Sequence, residues 1–281
     1  MTVASALALY LPALSARGDS PRTDARLLLA HVLGRERAWL LAHDDSRLSA
    51  RQYERFRQAC ARRAAGTPVA YIIGRAGFFG REFSVDERVL IPRPETELLV
   101  EEALAYLRGR RGAAVLDVGT GSGAIACTIA AEDPDAAVEG TETSAPALAV
   151  ARRNAERLRV RARCRFLRAD IAPAQAARRY DLVIANLPYV PTGALPALPD
   201  PTAYEPRAAL DGGPDGLRAY RKLLAVAGNL LRSDSLLLME AAPPTAAALA
   251  GLTAAALPNA AVDVRSDYSG MERYVRARLR G

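Results

Sequence analysis

The spacing of apolar and polar positions divides the chain into a helical front part and a longer part in which strands alternate with helices. Ser20 and Pro21 form a helix start signal ahead of the apolar stretch 25–33. Ser49 and Gln52 have the spacing of a capping box, and they predict a longer helix that ends near Ala65. We therefore expect a small helical domain over residues 1–70.

The next segment, residues 71–91, predicts a β-hairpin that links two domains. The run 69–73 has strand character, and aromatic residues stand on either side of Gly80 in the stretch 78–85. Two prolines then end the segment, and a helix follows from about Glu95 to Leu107.

From residue 113 onward, short apolar runs alternate with helical stretches. The predicted strands are 114–118, 137–140, 165–168, 181–185 and 235–240, with two late runs of strand character at 261–265 and 273–277. The predicted helices are 124–131, 145–158, 217–231 and 245–256. Repeated strand–helix units form a mostly parallel, doubly wound sheet that binds ligands beyond the carboxyl ends of its strands. The predicted fold class is therefore α/β, with this sheet domain over residues 92–281.

Composition excludes several classes of protein. The chain has 281 residues, of which 50% are hydrophobic and 25% are charged, as in ordinary folded proteins. It lacks an uninterrupted apolar run of about 18 residues, so we expect no membrane span. The opening apolar stretch carries no basic residue before Arg17 and contains Pro12, so we do not interpret it as a signal peptide.

The reactive residue types narrow the chemistry further. The three cysteines are widely spaced, which fits neither a disulfide framework nor a zinc site and favours the cytoplasm. Both histidines, His31 and His43, lie in the helical front part, so the sheet domain must work without imidazole. The net charge is +7, but Lys222 is the single lysine among 38 basic residues. Such a bias indicates genome composition more than nucleic-acid binding.

A glycine-rich loop follows the first strand of the sheet domain. It reads Gly-Thr-Gly-Ser-Gly, and glycines at alternate positions allow a tight turn with backbone close to a ligand. The loop lacks the Gly-Lys-Ser/Thr of a P-loop, and its spacing is a poor match to a dinucleotide fingerprint. An acid directly before the turn suits the ammonium group of S-adenosylmethionine better than a pyrophosphate. The candidate cofactor residues here are Asp117, Gly119, Thr120, Gly121, Ser122 and Gly123.

Acidic residues also stand at the ends of the next two strands. Glu142 follows the glycine loop at the spacing expected for a carboxylate that holds a ribose diol. Asp170 is placed to accept from an adenine amino group, and Ile171 to pack on the adenine ring. We predict that these three residues contact the cofactor.

The sharpest local signal is the turn Asn186-Leu187-Pro188-Tyr189 at the end of a buried strand. The Asn186 side-chain carbonyl and the Leu187 backbone carbonyl offer two acceptors to one planar NH2 group, on which Tyr189 can stack. These four residues are the predicted catalytic and substrate-binding residues, and Asn186 is also a predicted cofactor-binding residue.

The glycine loop and this turn together resemble class I S-adenosylmethionine-dependent methyltransferases that modify planar nitrogens. Residues 92–97 read Pro-Arg-Pro-Glu-Thr-Glu. With the preceding aromatic segment, they resemble the linker of the peptide chain release factor glutamine methyltransferases, the HemK/PrmC family. Residues 205–217 resemble the segment that follows that family's catalytic turn, so the similarity covers nearly the whole chain. Leu187 stands where the family usually has proline, and Glu142 where it more often has aspartate.

The resemblance implies N5-methylation of the glutamine in the Gly-Gly-Gln loop of a class I release factor, with S-adenosyl-L-methionine as the methyl donor. It also implies that the helical domain helps to engage the release factor, and we expect a monomer that binds no nucleic acid directly. Three alternatives stay open at this point: N6-adenine methylation of DNA or RNA, a cofactor-binding module without catalysis, and methylation of a glutamine in ribosomal protein L3.

Overall fold

The computed structural model describes residues 1–15, 20–172, 179–198 and 200–280. This part of the chain divides into two compact units. One unit comprises Met1–Arg75 with Pro196–Glu205, and the other comprises Ala76–Leu195 with Pro206–Gly281. Within the described ranges, no helix combines the length and apolarity needed to cross a membrane.

The first unit is helical. Its helices are α1 (Val3–Ser15), α2 (Pro21–Leu33), α3 (Arg37–Ala42), α4 (Ala50–Ala64) and α5 (Val69–Ile73). The predicted capping box is present, because Ser49 and Gln52 exchange side-chain and backbone hydrogen bonds at the start of α4. Helix α2 begins at Pro21 as predicted, although the Ser20 side chain makes no cap hydrogen bond. Leu28, Leu29 and Phe56 are fully buried at the centre of the unit.

The prediction of a strand at 69–73 is wrong, because these residues form helix α5. Val69, Ile72 and Ile73 pack on the core of the first unit, and their spacing of three and four places them on one helical face. A run of five apolar residues does not distinguish a short strand from one helical turn. Gly74, with φ +74°, ends the helix.

Residues 196–205, which the sequence analysis included in the sheet domain, belong to the helical unit. The Tyr204 hydroxyl donates to the Ala65 carbonyl oxygen at 2.5 Å. The Tyr204 ring also lies against Gly66, where an added Cβ would approach it to 2.9 Å. Helical periodicity carries no signal for such a contact between distant parts of the chain.

The predicted hairpin is present but shorter than residues 71–91. It consists of β1 (Arg75–Phe78) and β2 (Arg81–Ser84). Phe79 and Gly80 connect the strands with φ values of +49° and +70°. Two positive φ values suit a two-residue turn whose twist matches that of the strands.

The second unit is built on a seven-stranded sheet. The strands are β3 (Ala114–Val118), β4 (Ala137–Glu142), β5 (Cys164–Arg168), β6 (Tyr180–Ala185), β7 (Leu231–Glu240), β8 (Ala260–Ser266) and β9 (Glu272–Leu279). Their order is β5-β4-β3-β6-β7-β9-β8, and β9 runs antiparallel to both of its neighbours. The helices are α6 (Pro94–Leu107), α7 (Ala124–Glu132), α8 (Ala145–Arg157), α9 (Arg207–Leu210), α10 (Arg218–Leu230) and α11 (Pro243–Ala256). The predicted doubly wound α/β sheet is confirmed.

The central strands are buried on both faces. In β6, Leu182 and Ile184 point into the core that contains α6, α7 and α8, whereas Val183 and Ala185 point into the core under α10 and α11. Alternate side chains of a strand face opposite sides, so a strand covered on both sides is apolar throughout. The parallel strands β3, β4, β6 and β7 end at one edge of the sheet, and this edge carries the candidate site.

Candidate active site

The glycine-rich loop connects β3 to α7 and is tied to the end of the neighbouring strand. Gly119, Gly121 and Gly123 have φ values of +74°, +52° and +78°, a region that other residues rarely adopt. The backbone N–H groups of Gly119 and Thr120 both donate to the Thr141 carbonyl oxygen at 2.9 Å. The alternating glycines in the sequence therefore reflect the backbone conformation of this loop.

Asp117 lies beneath the loop and is almost completely buried. Its Oδ2 accepts from Thr120 Oγ1 at 2.6 Å and from the Ala126 N–H at 3.2 Å. Its Oδ1 has no hydrogen-bond partner among the residues that the structure describes. Burial raises the pKa of the Asp117 carboxyl to about 7. A direct contact between Asp117 and the cofactor's ammonium group stays a prediction.

Asn154 supports the loop from α8, and the sequence analysis did not identify it. Its Nδ2 donates to the Ser122 carbonyl at 2.8 Å and to the Ser84 carbonyl at 3.0 Å. Its Oδ1 accepts from the Ser84 N–H at 2.7 Å. One fully buried amide therefore joins the glycine loop to the end of the hairpin.

Glu142, the last residue of β4, is held by donors on both carboxylate oxygens. Oε2 accepts from the Gly121 N–H at 3.2 Å, and Oε1 accepts from the Ser144 N–H at 2.9 Å. The Thr143 hydroxyl donates to Oε1 at 3.1 Å. The carboxylate is thus fixed beside the glycine loop, where a carboxylate that binds a ribose diol is expected.

Asp170 and Ile171 follow β5. Asp170 is exposed and forms an ion pair with Lys222, with Oδ2 and Nζ 2.7 Å apart. Ile171 has φ +69°, a strained conformation for a β-branched residue. Its carbonyl oxygen accepts from Thr141 Oγ1 at 2.7 Å, and this bond helps to hold the conformation.

The turn after β6 is supported by hydrogen bonds on its backbone and its side chains. Asn186 Nδ2 donates to Thr96 Oγ1 at 3.0 Å. The Leu187 N–H donates to the Tyr220 hydroxyl at 3.2 Å, a bond that proline could not make. That hydroxyl lies 2.5 Å from the Glu240 carbonyl oxygen but 3.3 Å from the Leu187 carbonyl oxygen. Its proton goes to the shorter contact, which leaves the Leu187 carbonyl able to accept from a ligand.

A buried carboxylate, Glu240 at the end of β7, lies behind this turn, and the sequence analysis did not identify it. Thr96 Oγ1 donates to its Oε2 at 2.6 Å, and the Tyr189 hydroxyl donates to its Oε1 at 3.2 Å. Burial raises the pKa of Glu240 to about 7, although both hydrogen bonds act in the opposite direction. Burial and the neighbouring carboxylate also raise the pKa of Tyr189.

The segment after α9 packs tightly against the outer side of the turn. An added Cβ on Gly216 would lie 2.3 Å from the Tyr189 carbonyl oxygen, and one on Gly212 would lie 2.7 Å from the Pro188 carbonyl oxygen. The Gly212 N–H donates to the Val190 carbonyl at 2.8 Å. The two glycines are therefore required by this close approach of backbone to backbone.

A cavity of about 300 Å³ opens at this edge of the sheet. Ten of the predicted site residues line it: Gly119, Thr120, Gly121, Ser122, Glu142, Asp170, Ile171, Asn186, Leu187 and Pro188. Asp117, Gly123 and Tyr189 are not among its lining residues. Its wall also includes Thr96, Arg93 and Phe78, which the sequence analysis did not identify as site residues.

This fold, with a glycine loop and a cavity at the carboxyl ends of parallel strands, is that of a class I methyltransferase. A methyltransferase from Pyrococcus furiosus matches it with a TM-score of 0.51 and 19% identity, over 80% of this chain and 98% of that one. The 16S rRNA N2 G1207 methyltransferase of T. thermophilus matches with a TM-score of 0.51 and 20% identity, over 73% of this chain and 50% of that one.

Sequence comparison defines the family more narrowly. Residues 5–74 match the PrmC N-terminal domain, and residues 94–196 match the methyltransferase small domain. The release factor glutamine methyltransferase of Bordetella pertussis is 45% identical over 90% of this chain and 93% of its own length. That of Moorella thermoacetica is 41% identical over 97% of both chains. The chain belongs to the release factor glutamine methyltransferase family, which confirms the resemblance found in the sequence.

Proposed function

We propose that the protein transfers a methyl group from S-adenosylmethionine to the side-chain nitrogen of the glutamine in the Gly-Gly-Gln loop of a class I release factor. The observation that carries this proposal is the pair of carbonyl groups at the end of β6. Asn186 and Leu187 both line the cavity that the glycine loop also lines. Two acceptors side by side suit the two N–H bonds of a primary amide.

The residues around the cavity fit the cofactor. The volume of about 300 Å³ lies within the range of small-molecule sites. The loop would hold the methionine part, Glu142 the ribose diol, and Asp170 and Ile171 the adenine. The buried, unpaired Oδ1 of Asp117 is an acceptor that a nearby ammonium group would satisfy. When bound, S-adenosylmethionine supplies an electrophilic methyl group on a positively charged sulfur.

The protein's own residues would supply position and charge stabilisation. An amide nitrogen is a poor nucleophile because its lone pair is delocalised into the carbonyl group. Acceptors on both N–H bonds stabilise the positive charge that develops on nitrogen as it gains the methyl group, and they fix its direction of approach. The nitrogen then loses one proton to solvent, so no histidine is needed. Tyr189 would pack against the planar amide.

We also propose that the helical unit helps to engage the release factor. The match of residues 5–74 to the PrmC N-terminal domain supports this role. We place the enzyme in the cytoplasm, where translation termination takes place, and propose that it acts as a monomer without direct contact to nucleic acid.

A parallel labelling experiment tests the substrate. The protein is incubated with methyl-labelled S-adenosylmethionine and, separately, a class I release factor, ribosomal protein L3, DNA and rRNA. We expect label in the release factor alone. Label in nucleic acid alone would instead identify an N6-adenine methyltransferase, because an exocyclic amine fits the same two acceptors. Binding of the cofactor without transfer to any substrate would identify a non-catalytic module.

A further inference from the structure

We propose that Thr96 and Glu240 are positioning residues that fix the direction of the Asn186 carboxamide, so that the site selects an N–H donor over a carbonyl group. This inference rests on the proposed function. It concerns the same turn, but it involves two residues that do not belong to the Asn-Leu-Pro-Tyr motif and that lie far from it in the sequence.

The direction of the hydrogen bonds follows from the chemistry of the three groups. An ionised carboxylate only accepts, so the bond of 2.6 Å between Thr96 and Glu240 must use the hydroxyl proton of Thr96. Thr96 Oγ1 then has lone pairs but no proton for Asn186. Asn186 must therefore present its NH2 group to Thr96, as the contact of 3.0 Å from Nδ2 indicates. Its carbonyl oxygen is left to face a ligand.

Reversal of this amide would be costly. With Oδ1 turned towards Thr96, two oxygens without a proton between them would lie at hydrogen-bond distance. The hydrogen bond from Asn186 Nδ2 to Thr96 Oγ1 would also be lost. This loss is costly because Thr96 and Glu240 are both almost fully buried. The chain from Glu240 through Thr96 thus makes Asn186 an acceptor, which attracts a primary amide and repels a carboxylate.

Glu240 is also connected to the other two groups of the turn. Its side chain accepts from the Tyr189 hydroxyl, and its backbone carbonyl accepts from the Tyr220 hydroxyl. Tyr220 in turn accepts from the Leu187 N–H and so orients the second carbonyl acceptor. A single residue at the end of β7 therefore supports Asn186, Leu187 and Tyr189 together.

The ionisation of Glu240 adds a dependence on pH. Glu95 on α6 opposes ionisation, as burial does, whereas Arg273 on β9 and the hydroxyls of Thr96 and Tyr189 favour it. The Tyr220 hydroxyl from α10 faces the backbone of Glu240. A protonated Glu240 can donate to Thr96, which frees the Thr96 proton for Asn186 and allows the amide to reverse. Activity should therefore fall as the pH falls through the pKa of Glu240, which is about 7.

Replacement of the substrate glutamine by glutamate tests whether Thr96 orients the Asn186 carboxamide or only packs against it. The Kd of the enzyme is measured for a release factor with its natural Gly-Gly-Gln loop and for one in which that glutamine is replaced by glutamate. Thr96→Val removes the hydroxyl at nearly constant volume, and Thr96→Ser retains it. Thr253→Val is the matched control, because Thr253 is equally buried but bonds to the Leu249 carbonyl of its own helix.

We expect Thr96→Val to lower kcat about tenfold and to reduce the preference for glutamine over glutamate by a similar factor. This is the size of effect expected when one hydrogen bond to a charged group is lost. Thr96→Ser and Thr253→Val should keep both values within about threefold of the parent. A folded Thr96→Val enzyme with unchanged kcat and unchanged preference would overturn the inference. If the parent enzyme fails to methylate the release factor at all, the proposed function itself is wrong.

Glu240→Gln provides a second test that does not depend on Thr96. Glutamine can accept from Thr96 with its oxygen and donate to the Tyr189 hydroxyl, but it does not titrate. We expect kcat of the parent, measured at saturating S-adenosylmethionine, to decline below about pH 7, the pKa of Glu240, and the decline to be smaller in the variant. An identical pH profile in the two enzymes would contradict the role of Glu240.

Discussion

At the scale of single residues, the proposed chemistry depends on how Asn186 and Glu142 are held. Neither residue is distinctive by type, since asparagine and glutamate occur on every protein surface. Their surroundings make them candidates: Asn186 is bonded to the buried Thr96, and Glu142 accepts from the backbone of the glycine loop. Acceptors that are already held in place need little rearrangement when a ligand binds or when charge develops on that ligand.

Replacement of Asn186 by alanine should lower kcat about 10²- to 10³-fold, as removal of one charge-stabilising group does in other enzymes. The Kd for S-adenosylmethionine should change little, because the proposed cofactor residues lie mainly at the ends of β3, β4 and β5. Single-turnover rates and cofactor titration measure the two quantities. Asn229→Ala, on the exposed face of α10, is the matched control and should behave like the parent. A loss below about threefold would remove Asn186 from the catalytic role.

Replacement of Glu142 by alanine should weaken S-adenosylmethionine binding about tenfold or more, because hydrogen bonds to a charged group are lost. Glu142→Asp should lose less affinity for S-adenosylmethionine, since aspartate keeps the negative charge. Calorimetric titration of the cofactor gives the Kd values. Glu101→Ala, at an exposed position of α6, serves as the control. Equal affinities for Glu142→Ala and Glu101→Ala would show that Glu142 does not contact the cofactor.

At the scale of secondary-structure elements, local patterns were the reliable signals. The capping box at Ser49 and the strand Ala114–Val118 were predictable because the interactions that determine them are near in sequence. The helix at residues 69–73 was not predictable, because it is stabilised by the core on which it packs. Thr96 and Glu240, 144 positions apart, could not be connected to Asn186 before the fold brought α6, β6 and β7 together.

The close approach of Gly216 to the turn after β6 leads to a prediction for that turn. Gly216→Ala places a Cβ 2.3 Å from the Tyr189 carbonyl oxygen at a residue with φ +78°, so we expect a loss of at least about 2 kcal/mol in the free energy of unfolding. Gly228→Ala meets no atom within 4 Å and lies inside α10, so it should stabilise the protein by about 0.5–1 kcal/mol. Denaturant unfolding compares the two. Equal effects of both variants would contradict the packing of Gly216 against the turn.

At the scale of the whole molecule, the chain separates a helical unit without the candidate chemistry from an α/β unit that carries it. The family match extends over both units, because the B. pertussis and M. thermoacetica relatives align over 90% and 97% of this chain. Residues 196–205, which we placed in the sheet domain from the sequence, belong to the first unit in the structure. Their place in that unit involves a tertiary contact, Tyr204 with Ala65, for which the sequence holds no local pattern.

The two buried carboxyl groups should make the stability of the whole protein depend on pH. Burial raises the pKa of Asp117 and of Glu240 to about 7, above their values in the unfolded chain. Each group therefore contributes fully to stability below the pKa that it has in the unfolded chain. This contribution is lost as the pH rises through about 7, and the free energy of unfolding falls with a limiting slope of about 1.4 kcal/mol per pH unit for each group. Unfolding free energies measured from pH 5 to 8 should decline, and the decline should be smaller in Glu240→Gln. A stability that rises over this range would contradict these pKa shifts.

The most direct test of the central claim is peptide mass analysis of a class I release factor after incubation with this enzyme and S-adenosylmethionine. We predict one added methyl group on the glutamine of the Gly-Gly-Gln loop, formed by the parent enzyme and by Asn229→Ala but not by Asn186→Ala in the same time. A methyl group on another residue of the release factor, or equal methylation by Asn186→Ala, would contradict it.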